Sequence, residues 1–259
     1  MTPTIRVAIA GAAGRMGQEL ARAVAGDGGL VLEGVLERPG HPWLGRLLEG
    51  VPITAEPHAV LARSRVLLDF TVPPATRVLA EAAAQAGAAI LCGTTALSPQ
   101  DRAALERAGA RVAVLQAPNL SLGVALLTRL ARQAAAALPN HDIEIVEMHH
   151  RRKEDAPSGT ALVLAEAIES ARPGLTRVAG RTGHTGARGA SEIGIHALRG
   201  GDVAGDHEVI FAGAGERIIL AHRAESRAAF VAGALRAIHF LAARPAGCYS
   251  IDDVLGTRG

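Results

Sequence analysis

The stretch Gly11-Ala12-Ala13-Gly14-Arg15-Met16-Gly17 decides the fold through what stands on either side of it. Before it, Ile5 to Ala10 is a short apolar run that reads as a buried strand. After it, Arg15 to about Ala25 reads as a helix. A strand that turns through glycines straight into a helix is the opening unit of a nucleotide-binding α/β sheet. Gly11 permits the tight turn, Gly14 lets the backbone approach a pyrophosphate, and Gly17 lets the helix pack closely on the strand. The helix N-terminus supplies free N–H donors and a dipole that favours phosphate. The spacing is G-x-x-G-x-x-G, a variant of the usual fingerprint, so the turn alone also fits a glycine-rich bend that holds nothing.

Glu37 weakens that bland alternative. It closes a second strand-like run, Leu30 to Leu36, and stands 20 residues after Gly17, where an acidic side chain meets the ribose hydroxyls of a dinucleotide. Arg38 follows directly and suits a 2′-phosphate, so the pair is compatible with both NADH and NADPH. A surface ion pair at a strand end is the plain reading of the same dipeptide. Further strands are expected at Val66 to Phe70, Ala88 to Cys92 and Arg111 to Leu115. Helices are expected after Pro73-Pro74 and from Ser98-Pro99, where a cap precedes an N1 proline. Short apolar strands alternating with helices predict a Rossmann-like, doubly wound parallel sheet. Two loops follow successive strands, Gly93-Thr94-Thr95 and Ala117-Pro118-Asn119. They lie at the carboxyl edge, where ligands bind on such sheets.

The pattern changes after Asn119. A helix from Ser121 to Leu138, a strand Ile143 to Met148 and a helix Ser158 to Ala171 precede a Gly/Arg-rich stretch, Gly180 to Gly189, that reads as a mobile loop. Three strand-like runs follow, Glu192 to Leu198, His207 to Phe211 and Arg217 to His222. Little helix separates them, so mixed or antiparallel pairing is expected. A final apolar helix covers Ala228 to Ala242. The organisation expected is a dinucleotide-binding domain over residues 1–120, a second α+β domain over 121–227, and a C-terminal helical segment over 228–259.

Composition narrows the function. The chain has 259 residues and a formal net charge of +2. No Lys/Arg-rich run stands out, and its lone Trp and lone Tyr form no stacking platform, which argues against nucleic acid. No run approaches the roughly 20 apolar residues that span a bilayer, and no secretion signal is visible. Cys92 and Cys248 form no motif and suggest a reducing, cytoplasmic setting. Cys92 sits in an apolar run and reads as a core residue.

The chemistry concentrates in Glu147-Met148-His149-His150-Arg151-Arg152-Lys153-Glu154-Asp155-Ala156-Pro157-Ser158-Gly159-Thr160. His149 and His150 follow a strand, so their side chains diverge, and metal ligation by the pair is disfavoured. Lys153 offers an ammonium. Ser158, Gly159 and Thr160 open a helix, with hydroxyls and N–H groups suited to a carboxylate. A histidine beside cations and a helix start suits a small dianion that must be protonated after hydride attack. Neighbouring cations lower the basicity of such a histidine and a carboxylate such as Glu147 raises it. The plain reading is a solvated, charged loop.

H-H-x-x-K-x-D-A-P-S-G-T-A resembles the substrate loop of the 4-hydroxy-tetrahydrodipicolinate reductases of lysine and diaminopimelate synthesis, and G-x-x-G-R-M-G resembles their cofactor turn. Asp69-Phe70-Thr71, Gly93-Thr94-Thr95, Ala117-Pro118-Asn119, Arg181 to Gly186, Gly205-Asp206-His207 and the stretch around His222 to Arg227 match in order. The resemblance implies that His149 donates the proton and that Lys153 binds substrate and is a possible donor. It assigns His150, Gly159 and Thr160 to substrate, beside the Ser158 that the helix start already suggests. It assigns Gly11, Ala12, Ala13, Gly14, Arg15, Met16, Glu37, Arg38, Gly93, Thr94, Thr95, Ala117, Pro118, Asn119 and Leu120 to NADH or NADPH. No metal is implied. Leu120 departs from the phenylalanine of many members. The resemblance further implies a cyclic dicarboxylate substrate, a final helix that returns to the nucleotide domain, and a homotetramer joined through second-domain sheets. The rival readings are another two-domain dehydrogenase acting on an amino acid or semialdehyde, and a nucleotide-sensing protein without catalysis.

Overall fold

A computed structural model describes residues 4–256. The chain divides into two compact units. One runs to Leu120 and resumes at Phe230, and the other is Ser121–Ala229.

The first unit begins with strand β1 (Ile5–Ala10), helix α1 (Arg15–Gly26), β2 (Leu30–Leu36), β3 (Leu47–Leu48) and β4 (Val51–Thr54). It continues with α2 (Pro57–Leu61), β5 (Val66–Asp69), α3 (Pro73–Ala86), β6 (Ala89–Cys92), α4 (Pro99–Gly109) and β7 (Ala113–Gln116). The second unit holds α5 (Leu122–Ala137), β8 (Asp142–His149), α6 (Gly159–Ala171), β9 (Thr176–Ala179), β10 (Glu192–Arg199), β11 (Gly205–Gly213) and β12 (Glu216–Ala224). Helix α7 (Ala228–Ala242), β13 (Gly247–Tyr249) and α8 (Ile251–Leu255) close the chain.

The first sheet has the order β13-β7-β6-β5-β1-β2-β4-β3, and only the β3–β4 pair is antiparallel. Its inner strands are buried on both faces. Ala8, Leu67, Ile90 and Val114 pack with Leu79, Ala83, Leu105 and Ala108 of α3 and α4, while the alternate residues Val7, Ile9, Leu68 and Leu91 are equally inaccessible. That explains why these strands read as continuous apolar runs. With so few aromatics, small side chains fill the layers, and Phe211 is the one aromatic among the largest fully buried residues. Helix α4 starts as the Ser98-Pro99 dipeptide predicts. Ser98 Oγ accepts from Asp101 N–H and Asp101 Oδ2 accepts from Ser98 N–H, a full capping box. The β3–β4 hairpin, α2, β9, β13 and α8 carry no clear periodicity in the sequence.

The second sheet is mixed, in the order β12-β11-β8-β10-β9. Strand β8 runs parallel to β10 and antiparallel to β11. One face is apolar (Ile143, Ile145, Ile193, Ile195, Val209 and Phe211) and is covered by Leu127 and Ala131 of α5 and Leu164 and Ile168 of α6. The stretch 180–189, expected to be a mobile loop, is tied down at both ends. Arg181 pairs with Glu144 and Glu192, and Arg188 with Asp142 and Glu144.

Candidate active site

The glycine turn is built as the sequence predicts. Gly11 has a φ of +79°, and a side chain there would strike the Phe70 carbonyl. A side chain at Gly17 would strike the Gly11 carbonyl and the Ala12 backbone, so α1 could not sit where it does. Gly14 caps α1 without a side-chain hydrogen bond. Among the described residues the N–H groups of Arg15, Met16 and Gly17 therefore keep no partner, and three donors converge at the positive end of the helix. Other members of the turn are occupied. Ala12 is buried with its N–H on the Leu36 carbonyl, and the Ala13 N–H donates to Glu37 Oε1 at 2.9 Å. Glu37 thus ties the end of β2 to the turn. No ion pair joins it to Arg38, which is exposed. Gly11, Leu36, Glu37, Arg38, Thr71 and Leu79 line a largely apolar cleft of about 550 Å³.

The two later loops reach the same edge of the sheet and divide by exposure. Gly93 lies against the Phe70 ring, and Thr95 and Pro118 are exposed. Thr94 is buried, and its hydroxyl donates to Asp69 Oδ1 at 3.1 Å and accepts from the Thr71 N–H. Asp69 is the hub of this edge, also accepting from Thr71 Oγ1 and from Thr76 Oγ1 at 2.6 Å. Ala117 is buried with its N–H on the Cys92 carbonyl. Leu120 is buried, with its carbonyl packed against Gly233 of α7. Asn119 is half-buried. Cys92 is the core residue expected. Burial, reinforced by Asp69, pushes its thiol up to about 12, far from any nucleophilic range.

In the second unit, β8, β10 and β11 bring together what the sequence scatters. Glu147 is fully buried, yet all its acceptor sites are used. Its Oε2 accepts from His149 Nδ1 at 2.6 Å and from Arg199 Nη1 at 2.9 Å. Its Oε1 accepts from Arg199 Nη2 at 2.9 Å and from the Ser158 N–H at 3.0 Å. Burial works to raise its pKa, but the donors from Arg199, His149 and Ser158 outweigh it and hold the carboxyl below its ordinary range. Arg199 Nη2 also donates to the Asp155 carbonyl, fastening the loop that carries Lys153.

His149 and His207 on β11 meet in a T-shaped arrangement, with ring centroids 5.2 Å apart. Burial, with repulsion from His149 second, pushes His207 down to about 4. It is a neutral partner, with Nε2 3.1 Å from Ser158 Oγ. His222 on β12 lies opposite His207, and its Nε2 stands 3.2 Å from Ser121 Oγ at the cap of α5. Each helix covering this sheet thus sets its capping serine against a sheet histidine.

Ser158, assigned to substrate in the sequence, already has partners in the structure. It is buried, its N–H is on Glu147, and its Oγ serves the Ala161 N–H and His207. It caps α6 and aligns the cluster. Gly159 keeps its N–H without a partner among the described residues, with open space where a side chain would stand. Thr160 is half-buried, and the buried His150 Nδ1 has no partner among the described residues. Lys153 Nζ is 2.7 and 2.9 Å from the carboxylate oxygens of Asp155, a largely exposed residue. Such a surface pair is worth only about 0–1 kcal/mol, so a ligand carboxylate can displace it. Arg199 and His207 as members of this cluster were not read from the sequence. Lys153 also carries a compositional signal: it is the only lysine in an arginine-rich chain. A compact, rotatable ammonium and a planar guanidinium are not equivalent.

Among the described residues no group of three or more His, Cys, Asp or Glu side chains is arranged to hold a metal, and no helix is long and apolar enough to cross a membrane.

An open phosphate-type turn on a doubly wound sheet, and a second unit with an acid–base cluster, define a two-domain nicotinamide-dependent oxidoreductase. The comparisons make the class particular. Residues 5–120 match the family model for the N-terminus of dihydrodipicolinate reductase and residues 123–255 that for its C-terminus. The 4-hydroxy-tetrahydrodipicolinate reductase of Thiobacillus denitrificans is 46% identical over 98% of this chain and 100% of its own. A dipicolinate-bound dihydrodipicolinate reductase from Paenisporosarcina sp. TG-14 superposes with a TM-score of 0.81 at 27% identity, covering 95% of this chain and 97% of that one. A C. glutamicum DAP dehydrogenase shares the fold alone, with a TM-score of 0.56 at 16% identity over the whole of both chains. The chain belongs to the dihydrodipicolinate reductase family. It is an oxidoreductase that uses NADH or NADPH.

Proposed function

We propose that the chain reduces 4-hydroxy-tetrahydrodipicolinate to tetrahydrodipicolinate in lysine and diaminopimelate synthesis. NAD(P)H supplies hydride when bound. The ring loses water, gains hydride and gains one proton. The observation that carries this reading is the cluster in which a buried, ionised Glu147 holds His149 by Nδ1, with Lys153 and the start of α6 on the loop beside it. His149 donates the proton from Nε2 to the ring carbon left electron-rich by hydride arrival. Lys153, released from Asp155, takes one ring carboxylate. His150, the Gly159 N–H and Thr160 take the substrate's remaining polar groups, with Ser158 supporting them from behind. The open N–H groups of Arg15, Met16 and Gly17 receive the pyrophosphate. Glu37 meets the adenosine ribose, and Arg38 meets a 2′-phosphate when one is present. Gly93 to Thr95 and Ala117 to Leu120 border the rest of the cofactor, through backbone where their side chains are buried.

The chain acts in the cytoplasm as a homotetramer. The face of the second sheet away from α5 and α6 carries Val146, Leu198, Ile210 and Ile219, with Leu198 and Ile219 49% and 54% exposed, which supports assembly through that face. NADPH oxidation followed with the dipicolinate precursor, with amino acids and with semialdehydes tests the activity. Turnover with the cyclic dicarboxylate alone is expected, and turnover only with one of the others would replace the reading.

A further inference from the structure

We propose that Glu147, locked by Arg199, is a positioning residue that fixes His149 with a proton on Nδ1 and leaves Nε2 as its only exchangeable site. The inference rests on the reading of His149 as proton donor. A carboxylate has no hydrogen to give, so the 2.6 Å contact obliges Nδ1 to carry one. The carboxylate cannot turn away. Arg199 grips both oxygens at 2.9 Å, and the Ser158 N–H holds Oε1 at 3.0 Å. The charge cannot be quenched by a proton at neutral pH, because the same donors keep the carboxyl below its ordinary range. On the other side of the ring, Gly205 keeps the space next to Nε2 free, since an added side chain there would stand 3.1 Å from that nitrogen.

Arg199 does a second job through its bond to the Asp155 carbonyl, so one guanidinium sets both the donor's orientation and the position of the Lys153 loop. The register of β8 with β10 makes this possible by placing Arg199 beside His149. The balance of the step is unchanged. As the imidazolium, His149 gives its Nε2 proton to the substrate, becomes the neutral ring with Nδ1–H still donated to Glu147, and regains the Nε2 proton from solvent.

Two measurements test the proposal. Nitrogen-15 NMR of the folded wild-type protein, with the His149 signals assigned by their loss in His149→Gln, should show neutral His149 as the Nδ1–H tautomer. The Nε2–H tautomer would overturn the proposal without any question of misfolding. Glu147→Gln keeps the shape but turns an amide N–H₂ toward donors. It should lower kcat by about 10–100-fold, with a smaller change in the KM for the dicarboxylate and an unchanged Kd for NADPH. An unchanged kcat in the folded variant, or a fall matched by lost NADPH affinity, counts against it. If His149→Gln itself keeps full turnover, the donor assignment fails. If only Glu147→Gln does, the donor stands and the positioning role falls.

Discussion

Helices α1 and α6 both open onto candidate binding residues, and they are finished in opposite ways. Gly14 caps α1 with no side chain, Arg15, Met16 and Gly17 keep their N–H groups open, and Glu37 is folded back onto the turn. Helix α6 is capped by its own Ser158, whose Oγ takes the Ala161 N–H and meets His207 and whose N–H is spent on Glu147. The first region binds with backbone, through a geometry that three glycines allow and that side chains hardly touch. The second is a side-chain network in which Glu147 and Ser158 are engaged before any ligand arrives, so the chemistry depends on preorganised partners. Substitutions in the first should act on cofactor affinity and in the second on turnover or on the dicarboxylate.

The largest effect expected is at His149. His149→Gln can still donate a hydrogen bond but cannot readily deliver a proton at neutral pH, so kcat should fall roughly 10²–10⁴-fold with normal cofactor affinity. Stopped-flow single turnovers, with NADPH binding by calorimetry, separate the two. Near wild-type turnover would shift the search for the donor to Lys153.

His207 sharpens the contrast through pH. An unfolded histidine titrates near ~6.5, whereas folded His207 is held down to about 4. Above both values neither state is protonated there, and the group gives no pH dependence. Between them the unfolded chain takes up a proton that the folded chain refuses. Stability therefore falls as pH drops through this window, by about 3 kcal/mol in all. The depressed Glu147 adds a further loss below the ordinary carboxylate range. Urea unfolding of His207→Asn should show a shallower decline from pH 7 to pH 4.5 than wild type. Parallel declines would mean that the acid sensitivity lies in other groups.

Arg38→Ala should weaken NADPH by about 1.5–3 kcal/mol, the value of a charge-assisted contact, and leave NADH nearly unchanged. Equal losses for the two cofactors would rule out a phosphate contact. The smallest effect belongs to Thr160→Val, which removes one hydroxyl. The dicarboxylate KM should rise by the equivalent of about 0.5–1.5 kcal/mol, with the cofactor KM unmoved. A change confined to the cofactor would detach this loop from substrate.

The sequence by itself determined what depends on near neighbours. The glycine turn, the strand–helix alternation, the caps at Ser98, Ser121 and Ser158, and the Lys153 loop are each specified within a few residues, because φ, capping and amphipathic period are local properties. Even the mixed second sheet follows from runs with no helix between them. The tertiary structure alone decided which groups meet. Arg199 reads as one more arginine until β10 lies in register beside β8, and His207 reads as a strand residue until β11 sets it opposite Glu147. The same holds for Thr94 and Ser158, whose hydroxyls look ready for ligands in the sequence but are consumed by Asp69 and His207. A buried polar atom must find a partner wherever the fold supplies one, and strand register between segments some 50 residues apart is written in no local pattern.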